Sequence, residues 1–169
     1  MGCQRLIRFV LFGSHELEEY AILAVRIALG LFFAISGANK LFVPSETQTM
    51  YETLVAASVP FPHVMTYFVS SVELVGGLML IAGFLTSVAC IALMGDMTVA
   101  ILTAKLAGLP KGVSPLNWLD NFLYLPEALY VFFFIWLICS GPGQFSIDRK
   151  LEARLREVSG AYPKARSQE

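Results

Sequence analysis

Charge is what this chain has least of. Only 15% of its 169 residues are Asp, Glu, Lys or Arg, while 56% are hydrophobic; a soluble domain typically carries about a quarter charged residues. The shortage is uneven. Residues 20–45 contain only Arg26 and Lys40, residues 63–104 only Glu73 and Asp96, and residues 121–147 only Glu127. A net charge of −1 gives no basis for nucleic-acid binding or for a strongly acidic partner. Cysteine is scarce as well. Cys3, Cys90 and Cys139 have neither CxxC nor metal-ligand spacing, so no disulfide framework and no metal site are expected. Cys90 and Cys139 fall in apolar runs, where cysteine packs as a small hydrophobe; a redox pair at one membrane face is the alternative. No haem, flavin or iron–sulfur motif is present, so no intrinsic cofactor is expected. The length suits one domain.

Long apolar runs are what the chain does have. A membrane-crossing helix needs about 20 mostly apolar residues, and four stretches qualify: Tyr20–Phe42, His63–Gly83, Thr86–Leu106 and Phe122–Ser140. The reading is all-α, an integral membrane four-helix bundle with short amphipathic segments at both ends. Its parts are residues 1–19 (surface segment and helix cap), 20–145 (bundle) and 146–169 (tail). Leu6–Phe12, interrupted by Arg8, is too short to span and is assigned to the membrane surface. Ser14 can cap the first helix, and the glutamates just after it suit the positive end of that helix. Pro44, Pro60 and Pro62 break the first loop, which leaves room for a short helix near Gln48–Ala57. Gly83 to Ser87 makes a tight second connection, and Gly141-Pro142-Gly143 stops the last helix. Trp118 and Tyr124 sit where interfacial aromatics belong.

The charges outside the spans set an orientation. Arg5 and Arg8 share one side with Arg149, Lys150, Arg154, Arg156, Lys164 and Arg166, against Lys40, Lys105 and Lys111 on the other. The positive-inside rule places both termini in the cytoplasm, in what would be a bacterial inner membrane. Ser146 can cap a tail helix whose Ile147, Leu151, Leu155 and Val158 share one face. That helix rests on anionic headgroups or docks a cytoplasmic partner.

Charges inside the spans are costly, about 2.5–3.5 kcal/mol each on insertion scales, and face the bundle interior as a rule. At 100° per residue Arg26, Gly30, Phe33, Gly37 and Lys40 form one stripe. Glu73 shares a face with Gly77, Leu80 and Phe84. Asp96 lines up with Ala89, Ala92, Ala100 and Thr103, and Glu127 with Val131, Phe134 and Ile138. Small residues on such seams allow close approach. Depth predicts Lys40 with Glu127 as the outer pair and Arg26 reaching Glu73 or Asp96. Three acids then face two bases, so one carboxyl is expected to be protonated or held by water, a group able to move protons. The competing reading is that buried ion pairs only fix packing. Lys105 falls opposite Asp96 and is expected to snorkel outwards. His63 reads either as a contact for a quinone headgroup or as an ordinary interfacial histidine, and His15 as a surface residue.

These residues carry a family resemblance. The run Arg26-Ile-Ala-Leu-Gly30, Phe33, Ser36-Gly37-Ala-Asn-Lys40, the run Glu73-Leu-Val-Gly76-Gly77 to Gly83, and Glu127-Ala-Leu-Tyr130 with the ending Gly141-Pro142-Gly143-Gln-Phe-Ser146-Ile-Asp148 resemble the DoxX/DoxD family over about residues 20–150. Members often carry a histidine near the outer end of the third helix, where this chain has Lys105, so that residue's role does not transfer. The resemblance implies a four-helix fold and a link to membrane redox chemistry. Some members are similar to the small subunit of a thiosulfate:quinone oxidoreductase, and others are linked to sulfur metabolism and oxidative stress. On this reading the charge cluster (Arg26, Lys40, Glu73, Glu127 and, more weakly, Asp96) does the chemistry, and a slot among His63, Phe33, Tyr130 and Phe134 receives a quinone. The alternative is a non-catalytic adaptor that anchors a soluble redox or sulfur-transfer enzyme or stabilises another membrane protein. A homo-oligomer is compatible with both. A small transporter ranks last, since no inverted repeat or broken helix is evident.

Overall fold

Seven α-helices fill the residues described by the computed structural model, 15–160. The surface segment Leu6–Phe12, the Ser14 cap and Cys3 lie outside them. The helices are α1 (His15–Phe42), α2 (Pro44–Ala56), α3 (Pro62–Ala82), α4 (Thr86–Ala100), α5 (Pro115–Leu123), α6 (Pro126–Ser140) and α7 (Ile147–Gly160). Proline sets several starts: Pro44, Pro62, Pro115 and Pro126 occupy first-turn positions, where the missing N–H costs nothing. The short loop helix expected near Gln48–Ala57 is α2. It packs against α1 and α3.

The main packing runs α1 on α3, α3 on α4 and α4 on α6, with a smaller contact closing α6 onto α1. Glycine makes the first of these contacts intimate. A Cβ on Gly30 would lie 2.8 Å from the Gly77 carbonyl oxygen, and one on Gly37 would lie 2.6 Å from that of Ser70. Both are closer than real Cβ contacts, so α1 and α3 meet backbone to backbone. The register is antiparallel, with Gly37 facing Ser70 and Gly30 facing Gly77. Around this seam Leu80, Cys90, Leu93 and Phe134 are fully buried. The outer surface is apolar, as a lipid-facing surface must be: Phe32, Ile35, Phe68, Val75, Ile91, Phe132 and Ile135 are all exposed.

Three helices are long and apolar enough to cross a membrane, spanning Leu17–Phe42, Pro62–Ala82 and Thr86–Lys105. The expected fourth span, Phe122–Ser140, is interrupted. A break at Tyr124–Leu125 bends α5 by 72° from α6. Pro126 is the cause, because it has no N–H to continue a helix from above and disfavours helical geometry in Leu125. The 15 residues of α6 extend about 22 Å at 1.5 Å per residue, less than the ~30 Å hydrocarbon core. A fourth crossing exists only if the bent pair counts as one span.

The expected stop signals hold. Gly83 adopts φ +64°, and the Gly83 and Phe84 amides bond back to the Leu80 and Met79 carbonyls at 3.1 and 3.0 Å. This left-handed cap suits glycine and turns the chain straight into α4. At the start of α7 the Ser146 hydroxyl accepts from the Arg149 amide at 3.1 Å, the cap expected of it.

Candidate functional site

The charged residues of α1 separate into two environments. Lys40 and Arg26 lie on the same stripe but 14 residues apart, about 21 Å along the axis. Antiparallel packing therefore sets them against opposite ends of α3.

Lys40 meets Glu73. Its Nζ lies 2.6 and 2.7 Å from the two carboxylate oxygens, and the Ser36 hydroxyl donates to Oε2 at 3.2 Å. Glu73 is buried, while Lys40 is a quarter exposed. The expected pairing of Lys40 with Glu127 does not form. Glu127 is held instead by Lys105, at 2.9 Å. Regular helical spacing predicts that Lys105 snorkels outwards, but α4 does not stay regular. Ile101–Lys105 form a π-turn, and Leu106–Gly108 a turn of 3₁₀ helix. The widened π-turn rotates its residues relative to an ideal α-helix, and Lys105 at its end reaches Glu127 on α6.

Above Glu73 on the same buried face of α3 stand Ser70 and Thr66, spaced as successive turns require. The Ser70 hydroxyl donates to the Thr66 carbonyl at 2.6 Å, and the Thr66 hydroxyl to that of Pro62 at 2.8 Å. Thr66 also lines a cavity of about 420 Å³ between α1, α2 and α3, with Thr47, Gln48, Tyr51, His63 and Tyr67. His63 sits between two phenol rings there, its centroid 5.4 Å from Tyr51 and 6.1 Å from Tyr67. Thr47 ties this cavity to the lysine, since its hydroxyl donates to the Lys40 carbonyl at 2.7 Å.

The slot expected among His63, Phe33, Tyr130 and Phe134 is not one place. Phe33 packs 5.4 Å from both Tyr130 and Phe134, and Phe32 lies 4.9 Å from Tyr130. Phe33 and Phe134 are fully buried, so these rings fill the core against one another. His63 belongs to the separate cavity above. Tyr51, Tyr67 and Gln48 accompany it there. Sequence reasoning singles out none of the three, although the i, i+4 spacing of His63 and Tyr67 puts those two on one helix face.

Arg26 reaches neither Glu73 nor Asp96. It lies almost wholly buried at the far end, where its guanidinium donates to the Pro142 carbonyl and, at 2.7 Å, to that of Phe145. Asp148 completes this end. Its carboxylate accepts from the Leu85 amide at 2.7 Å and from the Thr86 amide and hydroxyl at 2.8 Å each, while its own amide donates to Gly83 at 2.9 Å. It caps α4 from 62 residues away. Glu19 accepts from the Gln144 amide at 2.7 Å. The start of α1, the α3–α4 turn and the exit from α6 are thereby knotted together. The Gly-Pro-Gly…Ser…Asp ending is visible as a pattern in the sequence; that its aspartate caps a distant helix is not.

Asp96 is set apart from both groups. Its predicted face is only partly inward: Ala89 is buried, but Ala92 and Thr103 are exposed. Its Oδ2 is buried without a hydrogen-bond partner among the described residues, as is Oε2 of Glu127. Cys90 is buried and Cys139 exposed, and both are free thiols. Among the described residues no group of three His, Cys, Asp or Glu side chains is placed to hold a metal ion.

The DoxX family model matches residues 21–106, which contain the α1 stripe, the Lys40–Glu73 pair and all of α3 and α4. The chain belongs to the DoxX family. It is 30% identical over 141 residues to the inner membrane protein YqjF of Escherichia coli (strain K12), covering 82% of this chain and 98% of that one. It is 29% identical over 140 residues to the uncharacterized membrane protein Rv3486 of Mycobacterium tuberculosis (strain ATCC 25618 / H37Rv), covering 79% of this chain and 83% of the relative. No solved structure matches it significantly. Apolar helices and membrane-protein relatives together make this DoxX protein a membrane protein.

Proposed function

We propose that this DoxX-family protein is the membrane subunit of a quinone-linked oxidoreductase, with the quinone headgroup seated in the His63 cavity. One observation carries the reading: an aromatic-lined cavity of ligand size adjoins a buried polar file, Thr66–Ser70–Glu73, that ends on an ion pair. A volume near 420 Å³ lies within the range of small-molecule sites. The rings of Tyr51, His63 and Tyr67 offer stacking surfaces, and Gln48 and His63 offer hydrogen bonds to ring oxygens. Reducing a quinone consumes two electrons and two protons. His63 in the cavity wall can exchange a proton with the headgroup, and Lys40 and Glu73 lie beyond it at the end of the polar file. Electrons come from a reduced-sulfur donor such as thiosulfate or from a partner redox enzyme. The basic residues flanking both ends favour termini in the cytoplasm of an inner membrane.

The test uses the protein in phosphatidylcholine nanodiscs with a short-chain quinone analogue. Saturable binding is expected, weakened at least tenfold in His63→Ala. With thiosulfate or the partner supplying electrons, reduction followed by ultraviolet absorbance is expected to slow in Glu73→Gln while binding persists. Absence of binding by the unaltered protein would sink the proposal.

A second reading is favoured by α7. Ile147, Leu151 and Leu155 share one face of that helix and stand about half exposed. An adaptor that anchors a soluble redox or sulfur-transfer enzyme could use this face. Crosslinked pull-down with Leu151→Asp/Leu155→Asp separates the two: a partner lost with these changes, and no quinone binding, favours the adaptor.

A further inference from the structure

Asp96 lines a second cavity, separate from the His63 site. This is a groove of about 340 Å³ between α3 and α4, lined by Phe68, Val72, Ala92, Gly95 and Val99 beside Asp96. Phe68, Ala92, Gly95 and Val99 are exposed on the bundle surface, so the groove faces the bilayer. A Cβ added to Gly95 would meet nothing within 4 Å. Every lining side chain but one is apolar, and that one is an acid.

Counting charges shows what would complement it. Within the membrane-crossing helices Lys40 is taken by Glu73 and Lys105 by Glu127, while Arg26 is bound to backbone carbonyls at the far end. Glu73 and Lys40 act on Asp96 with opposite signs. Among the described residues Asp96 is left as an acid without a base, one oxygen buried and unpartnered. It lies ten residues into the Thr86–Lys105 span, near mid-membrane. A ligand must therefore carry its polar centre deep into hydrocarbon, which an amphiphile anchored by a hydrated headgroup does not do. A compact body with apolar surface and positive charge does, and its attraction to a carboxylate is strong where water is excluded.

We propose that the α3–α4 groove binds a hydrophobic organic cation, paired with the Asp96 carboxylate. The inference does not rest on the quinone reading: its cavity and its carboxyl are different, and Glu73 and Lys40 touch it only through their fields.

Tetraphenylphosphonium is the probe, with tetraphenylborate as its shape-matched anion. Binding to the protein in phosphatidylcholine nanodiscs is measured by equilibrium dialysis, with protein-free nanodiscs subtracting partition into lipid. Saturable binding of about one cation per chain is expected, with no saturable binding of the anion. Asp96→Asn keeps the shape and removes the charge, and is expected to weaken cation binding at least tenfold. Gly95→Leu fills the groove from a position with space for it and is expected to weaken binding as much. Thermal unfolding of both variants near the unaltered midpoint shows that the fold survives. Equal binding of the two ions, an unchanged affinity in Asp96→Asn, or no binding by the unaltered protein would overturn the proposal. So would efficient disulfide dimers of Ala92→Cys in membranes together with no cation binding, which would assign the groove to a second copy. Displacement of the cation by a quinone analogue alone, at equal strength in Asp96→Asn, would reject the charge pairing while leaving the His63 site untouched.

Discussion

The two ends of the bundle handle charge in opposite ways. At one end Arg26 and Asp148 spend their hydrogen bonds on backbone: carbonyls of Pro142 and Phe145 for the arginine, amides of Leu85 and Thr86 for the aspartate. Such partners cannot change protonation state, and they join three chain segments. At the other end Lys40 and Glu73, and Lys105 and Glu127, bond each other. Both partners in each of those pairs can gain or lose a proton, and the His63 cavity lies near the first pair. One end holds chain segments together; the other, on the proposed reading, exchanges protons. A buried charge in a membrane helix is thus not by itself a mark of function: Arg26 is the most buried charged residue of the set and the one most clearly tied to architecture.

Substitutions at the holding end are expected to have the largest effect on stability. Arg26→Met leaves the Pro142 and Phe145 carbonyls without their donor and should cost about 3 kcal/mol, read as a lowered unfolding midpoint in lipid or detergent. Asp148→Ala removes a helix cap and three accepted bonds and should cost about 2 kcal/mol. A loss smaller than that of Glu73→Gln in either case would erase the contrast between the ends. Glu73→Gln keeps hydrogen-bonding capacity beside Lys40, so its stability cost should be about 1 kcal/mol, with slowed quinone reduction as the larger signature. Lys105→Met is the mildest. Its side chain is 44% exposed, and the pair with Glu127 should be worth no more than about 1 kcal/mol, measurable in a double-mutant cycle with Glu127→Gln.

How much of the molecule is legible in its sequence depends on the range of the physics involved. Helical period depends only on local spacing, so the buried stripe Arg26–Gly30–Phe33–Gly37–Lys40 is legible, as are three spans, the tight Gly83 turn and the Ser146 cap. Pairing depends on register between helices, and depth alone misassigns it: Gly37 facing Ser70 puts Lys40 against Glu73. The π-turn at Ile101–Lys105 shifts a face that ideal spacing predicts, and nothing in the local residue types announces it. Pro126 does announce the break before α6, yet the apolar run through it outweighs that signal. The quinone slot fails for a simpler reason. Aromatic residues sharing a helical face pack together as readily as they line a cavity, and here Phe33, Tyr130 and Phe134 do the former.

The contrast between the ends is tested most directly by one titration: a quinone analogue against the unaltered protein, His63→Ala and Asp148→Asn, all in nanodiscs below their unfolding temperatures. An exchanging end that holds the ligand predicts at least a tenfold loss in His63→Ala and affinity within about twofold of the unaltered protein in Asp148→Asn. Equal losses in both variants, or unchanged affinity in His63→Ala, would contradict it.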